Sequence, residues 1–281
     1  MQLVMFSKML QEFSVAKAGE IIADLGFEGV DLTVRPGGHV RPENVTADLP
    51  PAVATLRDMG LSVPMITTAI VAAEEPQAEE IFRAAAECDI PQLKLGYWHY
   101  EGFGRLKAQL DAVRATLHGL QALAQKYGVQ ANIHLHSGNF LSANPAVVWR
   151  LLEGFDPQAL GAYVDPGHMA VEGGYAGWKQ GLDLLADRIS LVAVKDFGWF
   201  REEDEAGRMR WQHKLMPLRE GIVPWPEVFR CLGQIGFDGT VSLHSEYKGR
   251  HAWRDLTTAE LIAQTREDLQ YLREVLAEVE G

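Results

Sequence analysis

The chain is poor in cysteine: Cys88 and Cys231 are its only two among 281 residues. Two isolated thiols make neither a disulfide framework nor a zinc knuckle, and they fit a reducing compartment. Positive charge is also scarce. Twenty-six Lys and Arg stand against 38 Asp and Glu, a net charge of −12. Nucleic-acid phosphates call for a basic surface, so a nucleic-acid partner is not expected. No apolar run approaches the roughly 20 residues of a bilayer span, so no membrane partner is expected either. The opening MQLVMFSKMLQEFS lacks the basic start and long apolar core of a signal peptide. A cytoplasmic enzyme is the default expectation. No low-complexity linker divides the chain, which reads as one domain over residues 1–281.

What is present is an alternation. The composition, 47% apolar and 23% charged, is ordinary for a globular protein. Short runs rich in Val, Ile and Leu recur at Leu3–Phe6, Gly29–Val34, Leu61–Thr67, Gln92–Leu95, Val129–His136, Leu160–Asp165, Ser190–Lys195 and Thr240–His244. Between them lie segments with helical spacing or helix punctuation: Ser14–Leu25, Pro50–Met59, Pro76–Cys88, Gly104–Tyr127, Pro145–Glu153, Trp178–Arg188, Pro226–Ile235 and Ala259–Val279. Gly26, Gly60 and Gly128 supply stop signals. A long loop is expected between the seventh strand and its helix. LGFEGVDL resembles IGFDGTVSL, a weak internal repeat of the strand–helix unit. This pattern predicts an α/β fold, a parallel (β/α)8 TIM barrel. A doubly wound open sheet ranks second, because no G-x-G-x-x-G opens a helix after the first strand.

In such a barrel the chemistry lies at the C-terminal ends of the strands. The central stretch is Tyr163–Met169, YVDPGHM. Pro166 disfavours helix at Asp165, which stays extended, and Pro-Gly predicts a tight turn that presents His168. A plain structural turn is the alternative. Strand alternation puts His134 and His136 on one face of the fifth strand and His244 and Glu246 on one face of the eighth. Imidazoles converging with Asp165 form a ligand set suited to Zn, Mn, Fe or Co. Two readings are open for Lys195: a base or electrophile tuned by burial, or a partner of Asp165 or Glu246. Lys94 stands at the end of the fourth strand, and the aromatic run GYWHY, with Trp98, follows it. That run suits a wall for stacking a sugar, or a core segment. Arg35 and His39 sit in a Gly-rich loop that suits an anionic or hydroxylated ligand, or is an ordinary turn.

The motifs YVDPGHM, VAVKDF and GFDGTVSLHSEY, together with PLREGIVPWPEVF, resemble the xylose-isomerase-like barrel superfamily of sugar isomerases, epimerases and inosose dehydratases. The resemblance spans nearly the whole chain. It implies one divalent metal, often Mn, held by Glu, Asp, His and Glu on strands five to eight, with the glutamates as acid and base. Asp165 matches as ligand and His168 as substrate contact. The other positions depart: His134 replaces the first Glu, Ala193 the His, and His244 the second Glu, with Glu246 two residues on. The remaining metal set is His134, Asp165 and His244, and the metal is Mn, Zn, Co or Fe. Proton transfer then passes to Lys195, His168, His136 or Glu246, with Arg35, His39, Trp98, His136 and Arg219 as substrate contacts; alternatively the metal is gone and these residues do acid/base work alone.

The expected function is a metal-dependent sugar or cyclitol isomerase or epimerase, which removes a proton next to a carbonyl and stabilises the enediolate. The alternatives are a lyase or dehydratase acting on a keto-sugar or 3-keto-glycoside, a non-catalytic sugar-binding barrel, and a zinc-barrel DNA-repair endonuclease, which the charge disfavours. The expected partner is a small-molecule sugar, and the resemblance leaves a homo-oligomer open.

Overall fold

The computed structural model describes residues 1–280. Eight parallel strands close into a barrel: β1 (Gln2–Phe6), β2 (Gly29–Thr33), β3 (Ser62–Thr67), β4 (Gln92–Lys94), β5 (Gln130–His134), β6 (Leu160–Val164), β7 (Ile189–Val194) and β10 (Thr240–Leu243). Closure runs through β1 and β10, with Val4 opposite Ser242. Two further strands, β8 (Asp196–Glu203) and β9 (Met209–Met216), pair antiparallel outside the barrel. The helices α1 (Val15–Leu25), α2 (Val45–Asp58), α3 (Ala78–Glu87), α4 (Leu106–Tyr127), α5 (Pro145–Leu152), α6 (Pro166–Leu184), α7 (Trp225–Gln234) and α8 (Thr258–Glu280) lie in the connections and after the last strand. The main apolar core fills the space between helices and strands. A small second cluster, Met65, Tyr163, Leu191 and Ala193, plugs the barrel interior. No described helix is long and apolar enough to cross a membrane.

Local chemistry explains the element ends. The Ser14 hydroxyl accepts the Lys17 N–H at 3.3 Å and starts α1, and Asn144 caps α5 ahead of Pro145. Gly26 ends α1 at φ 93°, where a side chain would be strained.

Three expectations need correction. Helix α2 begins at Val45, five residues before the expected Pro50, and carries Pro50 and Pro51 within it. The expected tight turn after Asp165 is the start of α6, with Pro166 in its first turn. Asp165 stays extended (φ −131°, ψ 92°), as Pro166 requires, but its role is that of a helix cap. This helix therefore starts twelve residues ahead of the expected Trp178, and it is broken at Gly174 (φ 61°, ψ −142°). The expected long loop after β7 contains the β8–β9 hairpin. Its first strand alternates between less and more exposed residues, as a ribbon with one covered face does.

Candidate active site

The candidate site sits at the C-terminal mouth of the barrel. Asp165 organises it. Its Oδ1 accepts the backbone N–H of His168 at 3.0 Å, which caps α6. This leaves Oδ2 for the barrel interior, where His134 Nε2 lies at 3.2 Å, Lys195 Nζ at 3.3 Å and His168 Nε2 at 3.8 Å. Lys195 Nζ also donates to Glu246 Oε2 at 3.1 Å. The other oxygen of Glu246 accepts from Lys8, which lies in a short 3₁₀ turn (Ser7–Leu10) after β1. Asp165 and Lys195 are almost fully buried. Gly167 makes the approach of α6 possible: a Cβ there would lie 2.3 Å from the Lys195 carbonyl oxygen.

Charge in this cluster is fixed by its geometry. Burial alone would depress the Lys195 amine, but Asp165 and Glu246 outweigh it and hold the group above the usual lysine value, as an ammonium. Burial works against the Glu246 carboxylate, yet Lys195, His244 and Lys8 together hold it well below its usual value. The four surrounding imidazoles are kept neutral. Burial depresses His134 and His168 well below their usual value, with Lys195 adding to the effect. Burial and Lys195 bring His136 down to about 4, and burial lowers His244 against the pull of Glu246.

The hydrogen-bond network assigns the tautomers. Burial and nearby carboxylates raise the Tyr97 and Tyr163 phenols well above their usual value, so both stay protonated. Tyr97 donates to His134 Nδ1 at 2.8 Å, so the His134 proton is on Nε2 and faces Asp165. Tyr163 donates to Asp31 Oδ2 at 3.5 Å and contacts His244 Nε2 at 2.8 Å. His244 Nδ1 lies 3.8 Å from Glu246 Oε2 and has no hydrogen-bond partner among the described residues. His136 is different. Its Nδ1 faces the Ser137 carbonyl at 2.8 Å and must donate, so Nε2 keeps a lone pair with no hydrogen-bond partner among the described residues.

Lys94, at the end of β4, is a second buried lysine in the same cavity. Its Nζ lies 3.5 Å from the centre of the Tyr97 ring, and no described carboxylate is within ion-pair reach. Burial, reinforced by Arg35 and Lys195 and only partly offset by Asp31 and Glu246, holds the Lys94 amine well below its usual value.

These side chains surround a cavity of about 80 Å³, with Phe6, Arg35 and Thr67 completing its wall. It adjoins a larger chamber of about 310 Å³, and the two share Lys8, His136, Lys195 and Glu246. Phe197, His213 and Leu215 line the outer chamber, so the hairpin absent from the sequence reading forms one of its walls.

The expected site residues divide accordingly. His134, His136, His168, Lys195, His244 and Glu246 come together around Asp165, and Arg35 reaches the cavity. His39 is tied to Thr33 Oγ1 at 3.2 Å and the Leu10 carbonyl at 3.3 Å, behind the wall. Trp98 packs against the outer core and does not line the cavity. Arg219 is exposed, pairing with Glu274 at 2.6 Å over the Tyr271 ring at 4.7 Å. These three are not brought to the site. The sequence reading also passed over Tyr163. Its spacing of two from Asp165 places it on the same strand face, but inside an apolar run it reads as core.

The expected metal set does not form. A metal-bound imidazole needs a free lone pair, and that of His134 is taken by the Tyr97 hydroxyl while its other nitrogen faces Asp165. Lys195 already places a positive charge against Asp165 and Glu246, where an ion would have to sit. No group of three His, Cys, Asp or Glu among the described residues is arranged to hold an ion. The residues present do not fit the divalent metal of the resemblance.

Comparison with known proteins accords with this fold. The chain is 23% identical over 255 residues to an uncharacterised protein of Methanocaldococcus jannaschii, covering 83% of this chain and 80% of that one. D-psicose 3-epimerase from Clostridium cellulolyticum H10 superposes with a TM-score of 0.72 at 16% identity, over 98% of this chain and 99% of that one. Escherichia coli 3-keto-D-glucoside 4-epimerase does so with a TM-score of 0.70 at 15% identity, over 98% and 99%. Residues 20–275 match the family described as xylose isomerase-like TIM barrel, and the chain belongs to that family.

Proposed function

We propose that this protein is a sugar isomerase or epimerase that moves a proton between carbons next to a carbonyl, without a divalent ion in the site. One observation carries the reading: the Lys195 ammonium, locked between Asp165 and Glu246, faces the same small polar cavity as the free Nε2 of His136. Proton removal beside a carbonyl puts negative charge on its oxygen. A fixed ammonium in a water-poor site stabilises that charge without reorganisation. His136 accepts the proton at Nε2, and its Nδ1–H bond to the Ser137 carbonyl holds the ring in place. Return of the proton to the former carbonyl carbon, with a hydroxyl proton passing between the two oxygens, isomerises the sugar, and delivery of a proton to the opposite face of the original carbon epimerises it. The sugar epimerases of the same fold support the substrate class.

The test is hydrogen exchange. Full-length protein is incubated in D2O with D-fructose, D-tagatose, D-psicose and a 3-keto-glucoside, and the C–H positions next to each carbonyl are followed by NMR. Enzyme-dependent exchange, lost in His136→Asn, is expected. Absence of exchange and turnover across this panel would sink the proposal.

The outer chamber favours a second reading. It offers room beyond the reactive cavity for a second ring or leaving group, against Phe197 and Leu215. This suits elimination from a 3-keto-glycoside. Release of the aglycone in the same incubations, faster than exchange at the neighbouring carbon, would favour it.

A further inference from the structure

We infer that Lys94 is a nucleophile that activates the substrate carbonyl as an iminium. The inference rests on the reading of the substrate as a carbonyl sugar, and it deepens that reading by naming how the carbonyl is activated.

The two lysines of the cavity are placed for opposite tasks. Lys195 is held between two carboxylates at 3.1 and 3.3 Å, which keep its proton on. Lys94 is 3% exposed, reaches the cavity at the end of a three-residue strand, and has a phenol ring rather than a carboxylate beside its nitrogen. Arg35 and Lys195 lie on the wall of the same cavity and add positive charge nearby. Desolvation next to other cations is the environment that turns a lysine into a neutral, nucleophilic amine. Neither the metal reading nor the proton shuttle at His136 gives such an amine any task.

The step balances with groups already present. The Lys94 lone pair forms the C–N bond, and the carbonyl π pair moves to oxygen, which takes the proton that nitrogen gives up. The hydroxyl then leaves as water with a second proton from the Lys195 ammonium, and C=N⁺ forms. Loss of the neighbouring C–H proton to His136 sends its electron pair into the iminium, giving an enamine. Reprotonation and readdition of water reverse these steps, freeing the amine and returning the Lys195 proton.

Reductive trapping tests this. Wild-type protein is incubated with each sugar of the exchange panel and sodium cyanoborohydride, and the adduct is located by peptide mass spectrometry. A single reduced-sugar adduct at Lys94, formed ahead of any on exposed lysines and absent in Lys94→Arg, is the expected result. Exchange in D2O with no adduct at Lys94, or with the adduct at Lys195, overturns the inference and leaves the isomerase reading standing. Absence of both exchange and adduct overturns the isomerase reading and the inference together. The decisive measurement uses wild-type protein, so a variant that fails to fold does not affect it.

Discussion

Lys195 Nζ bridges Asp165 and Glu246, 3.3 Å from one carboxylate and 3.1 Å from the other, at the mouth of the barrel. The two acids come from the ends of different strands, so this ammonium joins β6 and β7 to the segment after β10. Removing it leaves two buried carboxylates facing each other. Lys195→Met is expected to cost about 3–5 kcal/mol, the penalty for stranding buried charge, and to abolish turnover. Urea unfolding and the exchange assay check both. Stability within 1 kcal/mol of wild type, a bound set by the size of exposed pairs, would contradict a buried bridge.

Tyr163→Phe separates packing from hydrogen bonding. The ring stays stacked on His134 at 4.4 Å, but His244 Nε2 loses its hydroxyl partner at 2.8 Å. A buried polar group without a partner costs about 1–3 kcal/mol. The His244 tautomer is then no longer fixed, and ¹⁵N NMR of the imidazoles is expected to show a mixture.

His136 provides a pH signature. Its folded-state value is about 4 against an ordinary 6.5. The folded state therefore binds fewer protons than the unfolded state between these values, and stability rises with pH across that window. The contribution is complete above about 6.5 and is lost as pH falls towards 4. Urea midpoints measured across this range are expected to give a shallower slope for His136→Asn, by up to about 1.4 kcal/mol per pH unit. Equal slopes would show that this imidazole is not held neutral.

Gly167→Ala tests the seat of α6. The added methyl would meet the Lys195 carbonyl oxygen at 2.3 Å, a backbone atom with no freedom to move aside. Overpacking of this kind costs about 1–3 kcal/mol. The shift moves Asp165 as well, so activity falls further than stability predicts. A thermal melt beside the exchange assay gives the comparison.

Chelation tests the ligand geometry. Because the His134 lone pair is engaged by Tyr97 and Lys195 sits against Asp165 and Glu246, dialysis against EDTA is expected to leave Tm and exchange activity unchanged. A fall in either, restored by Mn²⁺, would show that the tyrosine contacts give way to an ion.

Much of this was legible in the sequence. Buried parallel strands read as unbroken Val, Ile and Leu runs, and glycine stops divide the helices, so the eightfold alternation shows without coordinates. The placement of Asp165, His134, His136, Lys195, His244 and Glu246 at the strand ends follows from the same alternation. Side-chain direction was less legible. Arg219 and His39 carry suitable chemistry at suitable positions in the chain, but their loops turn them towards Glu274 and Leu10. The hairpin Asp196–Met216 was hidden because an exposed ribbon has no apolar run to announce it.

The sequence by itself determined the barrel and the ring of imidazoles and carboxylates at its mouth, because both depend on periodicity along single strands. Tertiary structure alone decided what that ring holds. Tyr97 takes the lone pair His134 would offer a metal, and Lys195 sets a fixed charge between Asp165 and Glu246. These are contacts between residues far apart in the chain, and their energies depend on burial and distance, which no single strand encodes.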